Sequence, residues 1–288
     1  MTSALRAVLF VPGDRPDRIA KACASHADAV AVDLEDAVTE QAKERARISA
    51  VAAIGSAPPR AGLLLRVNPS DGPWFTADVA AAAEVLPRLV GVLLPKAEDP
   101  DEVRRLGDLL AAAERSAGLP VGRTAVLPIV ETPRGVLAAP AVAAASDRVA
   151  TLLFGTLDLA ACLGVTPTVE GRELLHARSQ VVLATAAAGL PGPIDGPHAA
   201  LDDVDGLVRS SAAARDLGFR GRVVLHPRQI EPVQAAFSPS EAELDRARAI
   251  LAAREAAGDA GAFRLADGTF VDRPVLLRAA ALLGESLS

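Results

Sequence analysis

Two apolar runs in this sequence stop at a carboxylate. AVLPIVE ends at Glu131, and VATLLFGTLD ends at Asp158. The segment between them is helix-like and long enough to return the chain, so both runs read as parallel strands of one sheet. Their carboxylates then project from the same, carboxyl-terminal edge. Two acidic oxygens, water and an oxygen-rich substrate suit magnesium, with manganese as its substitute. Such an ion takes one or two protein carboxylates and keeps several waters. An acid after a strand also serves simply to cap the next helix, and the spacing alone leaves both roles open.

Other polar residues stand where apolar runs end. Arg66 closes GLLLRV, where a guanidinium can clamp a carboxylate or face a developing oxyanion. It can equally pair with Asp33 or Glu35 after AVAVDL. Alternation puts Asp33 and Glu35 on one side of their strand and Asp36 in the loop. Glu35 reads as support for Arg66 or for metal-bound water, whereas Asp36 is also placed to cap a helix. Lys96 ends VGVLLP; it suits either an ion pair or the amine of a Schiff base. Arg15, Arg18 and Lys21 follow the first run and suit the phosphates of a coenzyme, or simply a solvated helix face. Gly155, Thr156 and Leu157 offer backbone N–H donors beside Asp158, because glycine permits close approach. Of the four histidines, only His226, after RVVL, is placed for such a site.

The elements that carry these residues alternate regularly. Strands are expected at 6–11, 29–34, 62–67, 90–95, in the two runs already described, at 192–195 and at 222–226. Helices are expected at 17–27, 40–54, 74–86, 101–117, 171–188, 203–217 and 240–257, the last opened by the Ser240/Glu243 capping box. Eight strand–helix units with continuously apolar strands imply an α/β fold, a closed parallel (β/α)8 barrel with the active site at the strand C-termini. No GxGxxG follows the first strand, which leaves the dinucleotide-binding alternative little support. The barrel is expected to occupy residues 1–237. Residues 238–288 form a helix and an extended, lid-like tail: a loose Gly-rich link, a turn with a short extended segment, and a short helix.

Composition narrows the function. The 288 residues carry 30 Lys and Arg against 36 Asp and Glu, a net charge of −6. That argues against a nucleic-acid partner, which needs a basic stripe. No apolar run approaches the ~20 residues of a membrane span, and the amino terminus is too short in apolar residues for a signal peptide. Cys23 and Cys162 lack a metal-ligand spacing and read as reduced core thiols of a cytoplasmic protein. With no Tyr and one Trp, adenine stacking on a ring is not expected.

Taken in order, LFVPGDRPDRIAKA, AVAVDLEDAV, LLRVNP, GVLLPKAE, LPIVETPRGVLAA, LLFGTLDLAACLG and VVLHPRQIEPV resemble the citrate lyase β-subunit-like family of the HpcH/HpaI aldolase superfamily. The resemblance runs from about Arg6 to Phe237. It implies a metal-dependent carbon–carbon lyase acting beside a thioester, with Glu131 and Asp158 as metal ligands and Arg66 binding the oxo acid. DGTFVDRPVLLRA resembles the tail of malyl-CoA and citramalyl-CoA lyases, although Phe270-Val271 stands where a Met-Ile or Met-Val pair is expected. This implies that Asp272 serves as acid/base in a neighbouring subunit's site, within a homotrimer or hexamer. The expected substrate is a β-hydroxyacyl-CoA, cleaved to acetyl-CoA and a 2-oxo acid. The alternatives are a citrate lyase β subunit acting on a carrier protein, a thioesterase, and an aldolase on free oxo acids.

Overall fold

A computed structural model describes residues 5–58, 62–168, 170–257 and 261–285. The chain divides into two compact units, 1–237 and 238–288. In the first, eight parallel strands close in sequence order: β1 (Ala7–Pro12), β2 (Ala29–Asp33), β3 (Leu63–Arg66), β4 (Leu89–Leu94), β5 (Ala125–Val130), β6 (Leu153–Phe154), β7 (Ile194–Asp195) and β8 (Gly221–Val224). The expected (β/α)8 barrel is therefore the observed one.

Both faces of the sheet are buried, which is why its strands read as unbroken apolar runs rather than alternating ones. One set of side chains fills the barrel interior: Val8, Ala31, Leu64, Leu93, Leu127, Ile129, Leu153, Ile194 and Val223. The other set, including Val30, Val32, Leu63 and Leu65, packs outward with the helices. Gly91 is a glycine because a Cβ there would press into Leu127 and Leu64 inside the barrel.

The connecting helices are α1 (Pro16–Cys23), α2 (Lys43–Ser56), α3 (Phe75–Glu84), α4 (Pro100–Ser116), α5 (Pro133–Ala143), α6 (Thr156–Leu163), α7 (Leu175–Ala187), α8 (Val204–Leu217) and α9 (Ile230–Phe237). α4 opens with a full capping box, Asp99 with Glu102, and α5 opens with Thr132 accepting from the Gly135 N–H at 3.0 Å. Two expectations are corrected. The run 149–158 is not one long strand: β6 keeps only two residues, and Gly155 hands the chain to α6. The helix that follows β8 is α9, at Ile230–Phe237, where no helix was expected.

The second unit contains α10 (Glu241–Ala257), a hairpin of β9 (Phe263–Arg264) and β10 (Phe270–Val271), and α11 (Arg273–Leu283). Its own small core holds Ala247, Ile250, Val271, Leu276 and Ala279. The Ser240/Glu243 box is formed, with the Ser240 N–H donating to the Glu243 carboxylate at 2.8 Å. The Gly-rich link expected after α10 falls partly on 258–260, outside the described residues.

At the amino-terminal end of the strands, Glu114 of α4 is fully buried. It accepts from Arg148 Nη1 and Nη2 at 3.1 and 2.7 Å, and from the Gly122 and Thr124 N–H groups at 2.8 Å each. Burial acts to raise its pKa, but these donors outweigh burial and hold it at about 2. This cluster joins α4 to the starts of β5 and β6, the barrel end associated with stability. Glu114→Gln is expected to cost about 3–5 kcal/mol at pH 7, because it leaves Arg148 poorly paired. A depressed carboxylate pKa stabilises above the unfolded value and loses that contribution as pH falls towards the folded one. The gap between wild type and variant in urea unfolding should therefore narrow from pH 4.5 to pH 2. A gap that stays constant over that range would contradict the assignment.

Candidate active site

The strand register brings the key charges together. Asp33, the last residue of β2, is the direct partner of Arg66, the last residue of β3. Alternation along β2 and β3 turns both into the barrel, one layer above Ala31 and Leu64. Arg66 Nε donates to Asp33 Oδ1 at 2.6 Å and Nη2 to Oδ2 at 2.5 Å, a bidentate pair. Its Nη1 lies 2.7 Å from Glu35 Oε2. Burial acts to lower the pKa of this guanidinium, but Asp33 and Glu35 more than reverse that and hold it above its ordinary value. The ion pair does not withdraw Arg66 from the site, since it still lines the cavity described below. N–H donors on Nη1 and Nη2 remain for a bound oxygen.

Glu131 follows β5 and is 2% exposed. Its Oε1 accepts from the backbone N–H of Lys96 at 2.8 Å. Lys96 has φ of +50°, the one positive φ outside glycine among the described residues, and this turn aims the N–H at Glu131. The Lys96 side chain bonds the Glu35 carboxylate and lies 3.5 Å from Asp36. Burial acts to lower the Lys96 pKa, but Glu35, Glu131 and Asp36 raise it overall. A charged ammonium cannot attack a carbonyl, so the ion-pair role stands and the Schiff-base role loses its support. Burial also raises Glu35, against Arg66 and Lys96.

Asp158 is not at a strand end. It occupies the first turn of α6, whose N-cap is Gly155. The first amides of that helix, at Thr156, Leu157 and Asp158, have no earlier turn to bond, and the helix dipole adds positive potential there. Gly155 is required for a different reason than amide access: a Cβ there would overlap the Glu131 side chain. The absence of that one carbon lets β5 and the start of α6 close on each other. The Thr156 hydroxyl is buried without a hydrogen-bond partner, which marks a polar atom waiting for something.

These groups share one cavity at the carboxyl ends of the strands. Phe10, Asp36, Arg66, Ile129, Glu131, Leu153, Phe154, Gly155, Thr156, Leu157, Asp158, Pro197, Val223 and Leu225 line it. Six expected site residues, Arg66, Glu131, Gly155, Thr156, Leu157 and Asp158, thus meet in one place, and Glu35 reaches it through Arg66. Arg15, Arg18 and Lys21 lie exposed around α1, which follows β1, and Arg15 is bonded to Asp17 at 3.1 Å. Asp272 belongs to the second unit, where it caps α11 by accepting from the Val275 N–H. His226 caps a short turn through the Arg228 N–H at 3.2 Å, a structural role. Cys162 is exposed rather than a core thiol, whereas Cys23 is buried. The apolar walls were missed as site residues, although alternation along β1 and β8 already turns Phe10 and Val223 inward with Val8.

The donor set fits a hard divalent cation. Burial raises Glu131, and the charges of Glu35 and Asp158 raise it further, to about 8. A cation between the two carboxylates would relieve that repulsion. Among the described residues no three His, Cys, Asp or Glu side chains form a closed metal cage. Two carboxylates with room for water and substrate oxygens is instead the pattern magnesium takes.

Known proteins point the same way. A citrate lyase subunit beta-like protein of Deinococcus radiodurans is 39% identical over 288 residues, covering 98% of this chain and 97% of that one. A (3S)-malyl-CoA thioesterase of Cereibacter sphaeroides is 33% identical over 283 residues, covering 98% and 94%. The crystal structure of CitE from Mycobacterium tuberculosis, in complex with magnesium, acetoacetate and coenzyme A, superposes with a TM-score of 0.82 at 34% identity, covering 99% and 98%. The family profile described as HpcH/HpaI aldolase/citrate lyase matches residues 6–227. With that match and those identities over nearly its whole length, the chain belongs to the HpcH/HpaI aldolase/citrate lyase family, and its class of chemistry is that of a carbon–carbon lyase.

Proposed function

We propose that this lyase cleaves, or forms, a β-hydroxyacyl-CoA such as malyl-CoA or citramalyl-CoA, giving acetyl-CoA and a 2-oxo acid with magnesium as its metal. One observation carries the reading: Glu131, Asp158 and Arg66 open onto a single cavity beside the amino terminus of α6. The magnesium and coenzyme A found with the Mycobacterium tuberculosis relative support it.

Glu131 and Asp158 would hold the ion, which supplies Lewis acidity toward the substrate's oxygens. Arg66 binds the carboxylate of the hydroxy acid through its remaining N–H donors. Asp33 and Glu35 keep that guanidinium in place, and Lys96 fixes both Glu35 and Glu131. Asp272 of a neighbouring subunit removes the hydroxyl proton. The bond between the carbinol carbon and the adjacent CH2 breaks, its electron pair passes to the thioester carbonyl, and the resulting acetyl-CoA enolate takes up a proton. The free amides at 156–158 favour negative charge as it develops. Arg15, Arg18 and Lys21 serve the coenzyme's phosphates, and the oligomer is a homotrimer or a hexamer in the cytoplasm.

A second reading is hydrolysis of the same thioester, favoured by the Cereibacter sphaeroides thioesterase at 33% identity. A magnesium-dependent assay on malyl-CoA, citramalyl-CoA, citryl-CoA and free citramalate separates the outcomes. Acetyl-CoA plus an oxo acid establishes the lyase. Free CoA with intact hydroxy acid means a thioesterase. Turnover of none of the thioesters points to a carrier-protein substrate or a free-acid aldolase.

Two variants test the residue roles. Glu131→Ala should lose magnesium-dependent cleavage by at least ~100-fold, and calorimetry should show weakened magnesium binding; unchanged affinity would remove Glu131 as a ligand. Asp272→Asn should fold and bind magnesium and oxo acid normally, yet lose cleavage by ~10²–10⁴-fold. Full activity in that variant would remove its acid/base role.

A further inference from the structure

Next to the cluster that holds Arg66 lies a second buried network, and its central group is a lysine. Lys43 opens α2 and is buried. Its Nζ donates to the Leu34 carbonyl at 2.8 Å, to the Glu35 carbonyl at 2.8 Å and to Asn68 Oδ1 at 2.7 Å. None of the three acceptors is a carboxylate. Three acceptors call for three N–H groups, which an ammonium has and a neutral amine lacks. Burial holds the Lys43 pKa below its ordinary value, although Asp33, Glu35, Asp78 and Asp36 act the other way. A buried ammonium is costly, and what this one secures is the turn after β2.

That turn, 34–38, carries Glu35 and is bonded through both kinds of main-chain group. The Glu35 N–H donates to Asp33 Oδ1 at 2.8 Å and the Ala37 N–H to Asp33 Oδ2 at 3.1 Å. The same two oxygens take Arg66. Asp33 therefore ties the turn's amides to Arg66, and Lys43 ties its carbonyls to α2. Asn68 is oriented by the next member of the network. Its Nδ2 donates to Asp78 Oδ2 at 2.6 Å and to the Leu34 carbonyl at 2.9 Å, which leaves Oδ1 to face Lys43. Asp78 in turn accepts from Arg47 Nε at 2.9 Å. The series Arg47, Asp78, Asn68 and Lys43 thus ends on the main chain of Glu35, whose carboxylate bonds Lys96 and lies 2.7 Å from Arg66 Nη1.

We propose that Lys43 is a positioning residue for the oxo-acid half of the site: by fixing the turn that carries Glu35, it sets where Arg66 presents its free N–H donors. The inference rests on the proposed role of Arg66 and deepens it. Lys43 is not among the residues that line the cavity, so it acts only through Glu35 and Arg66. Glu131 is held separately, by the main-chain N–H of Lys96. Loss of Lys43 therefore falls on oxo-acid binding and spares the metal ligands. Asp78 acts at one remove. With asparagine at 78, the new amide turned towards Asn68 would rotate the Asn68 amide, and two NH2 donors of the network would then face each other or the Lys43 ammonium.

Calorimetry on the full chain separates the two halves of the site. Lys43→Met keeps the apolar stem and removes the donors. At saturating magnesium its pyruvate affinity should fall ~10–100-fold, while its affinity for magnesium alone stays within about threefold of wild type. Asp78→Asn, the milder variant, carries the test where Lys43→Met does not fold; it should weaken pyruvate about fivefold. Glu114→Gln, destabilised at the opposite end of the barrel, should bind pyruvate as wild type does. Unchanged pyruvate affinity in the Lys43 and Asp78 variants, an equal loss in Glu114→Gln, or a parallel loss of magnesium affinity overturns the inference. A wild type that binds no oxo acid overturns the proposed function instead. Amide exchange then still decides the role of Lys43: Lys43→Met should speed exchange over 34–38 at least ~10-fold and leave 125–131 unchanged. Equal exchange over 34–38 in both proteins would show that the turn does not depend on Lys43.

Discussion

Everything at the top of this barrel depends on a guanidinium that must stay charged while almost buried. Arg66 is 9% exposed, and a lone cation at that depth would be untenable. Asp33 takes two of its N–H bonds and Glu35 lies against a third nitrogen. That solves the cation's problem by importing two anions, and Glu131 and Asp158 add two more. Lys96 offsets part of the surplus through Glu35 and Asp36, yet Glu131 still remains far above an ordinary carboxylate pKa. The site is thus an anionic cup in which two cations, Arg66 and Lys96, face five carboxylates, Asp33, Glu35, Asp36, Glu131 and Asp158. A divalent ion is the component that would balance it.

Buried polar clusters elsewhere in the barrel look similar but behave differently. Glu114 accepts from Arg148 and two backbone amides, and no cavity opens beside it in the lining described above. Asp195 on β7 is fully buried and bonds Arg222 of β8, with Arg178 of α7 at 3.2 Å. Arg222 faces the helices rather than the barrel interior, and it also donates to Ser210 of α8 at 2.9 Å. Both clusters fasten helices to strands. The cluster around Arg66 differs in opening onto a cavity, beside which lie the spare N–H groups of Arg66, the Thr156 hydroxyl and the first amides of α6; unpartnered polar atoms alone do not mark it, since Arg178 Nε, Asp195 Oδ1 and Arg222 Nε also lack hydrogen-bond partners. Burial of charge alone would not have told the three apart.

Most of the barrel was legible because parallel strands buried on both faces leave an unmistakable apolar signature. Arg66 and Glu131 were legible because each interrupts such a run at its end. The reading failed where that signature was ambiguous. VATLLFGTLD is apolar throughout, so nothing in its periodicity marks the point where β6 gives way to α6; only Gly155 does, and a single glycine has several meanings. Asp158 was therefore expected beside Glu131, whose cavity it lines, but as the end of a strand rather than as part of a helix's first turn. α9 escaped notice because IEPVQAAF is short and carries a proline early, whereas the longer 240–257 segment showed a clear capping box. The pairing of Arg66 with Asp33 or Glu35 was legible as one of two open roles; that Arg66 takes both partners, with Asp33 in the bidentate position, required register, which neighbouring strands fix only once the barrel closes.

Register also explains why the site's exactness resides in the main chain. Glu131 is held by a backbone N–H, not by a side chain, and that N–H is aimed by a left-handed residue. A lysine in that conformation costs of order 1 kcal/mol or more, a cost glycine would avoid. Glycine, however, would forfeit the ammonium that bonds Glu35. At Gly155 the trade runs the other way: any side chain would displace the carboxylate that the site is built around. Two neighbouring turns thus place opposite demands on the chain, one accepting backbone strain to keep a charge, the other giving up a side chain to admit one. Both demands converge on the position of a single carboxylate, Glu131.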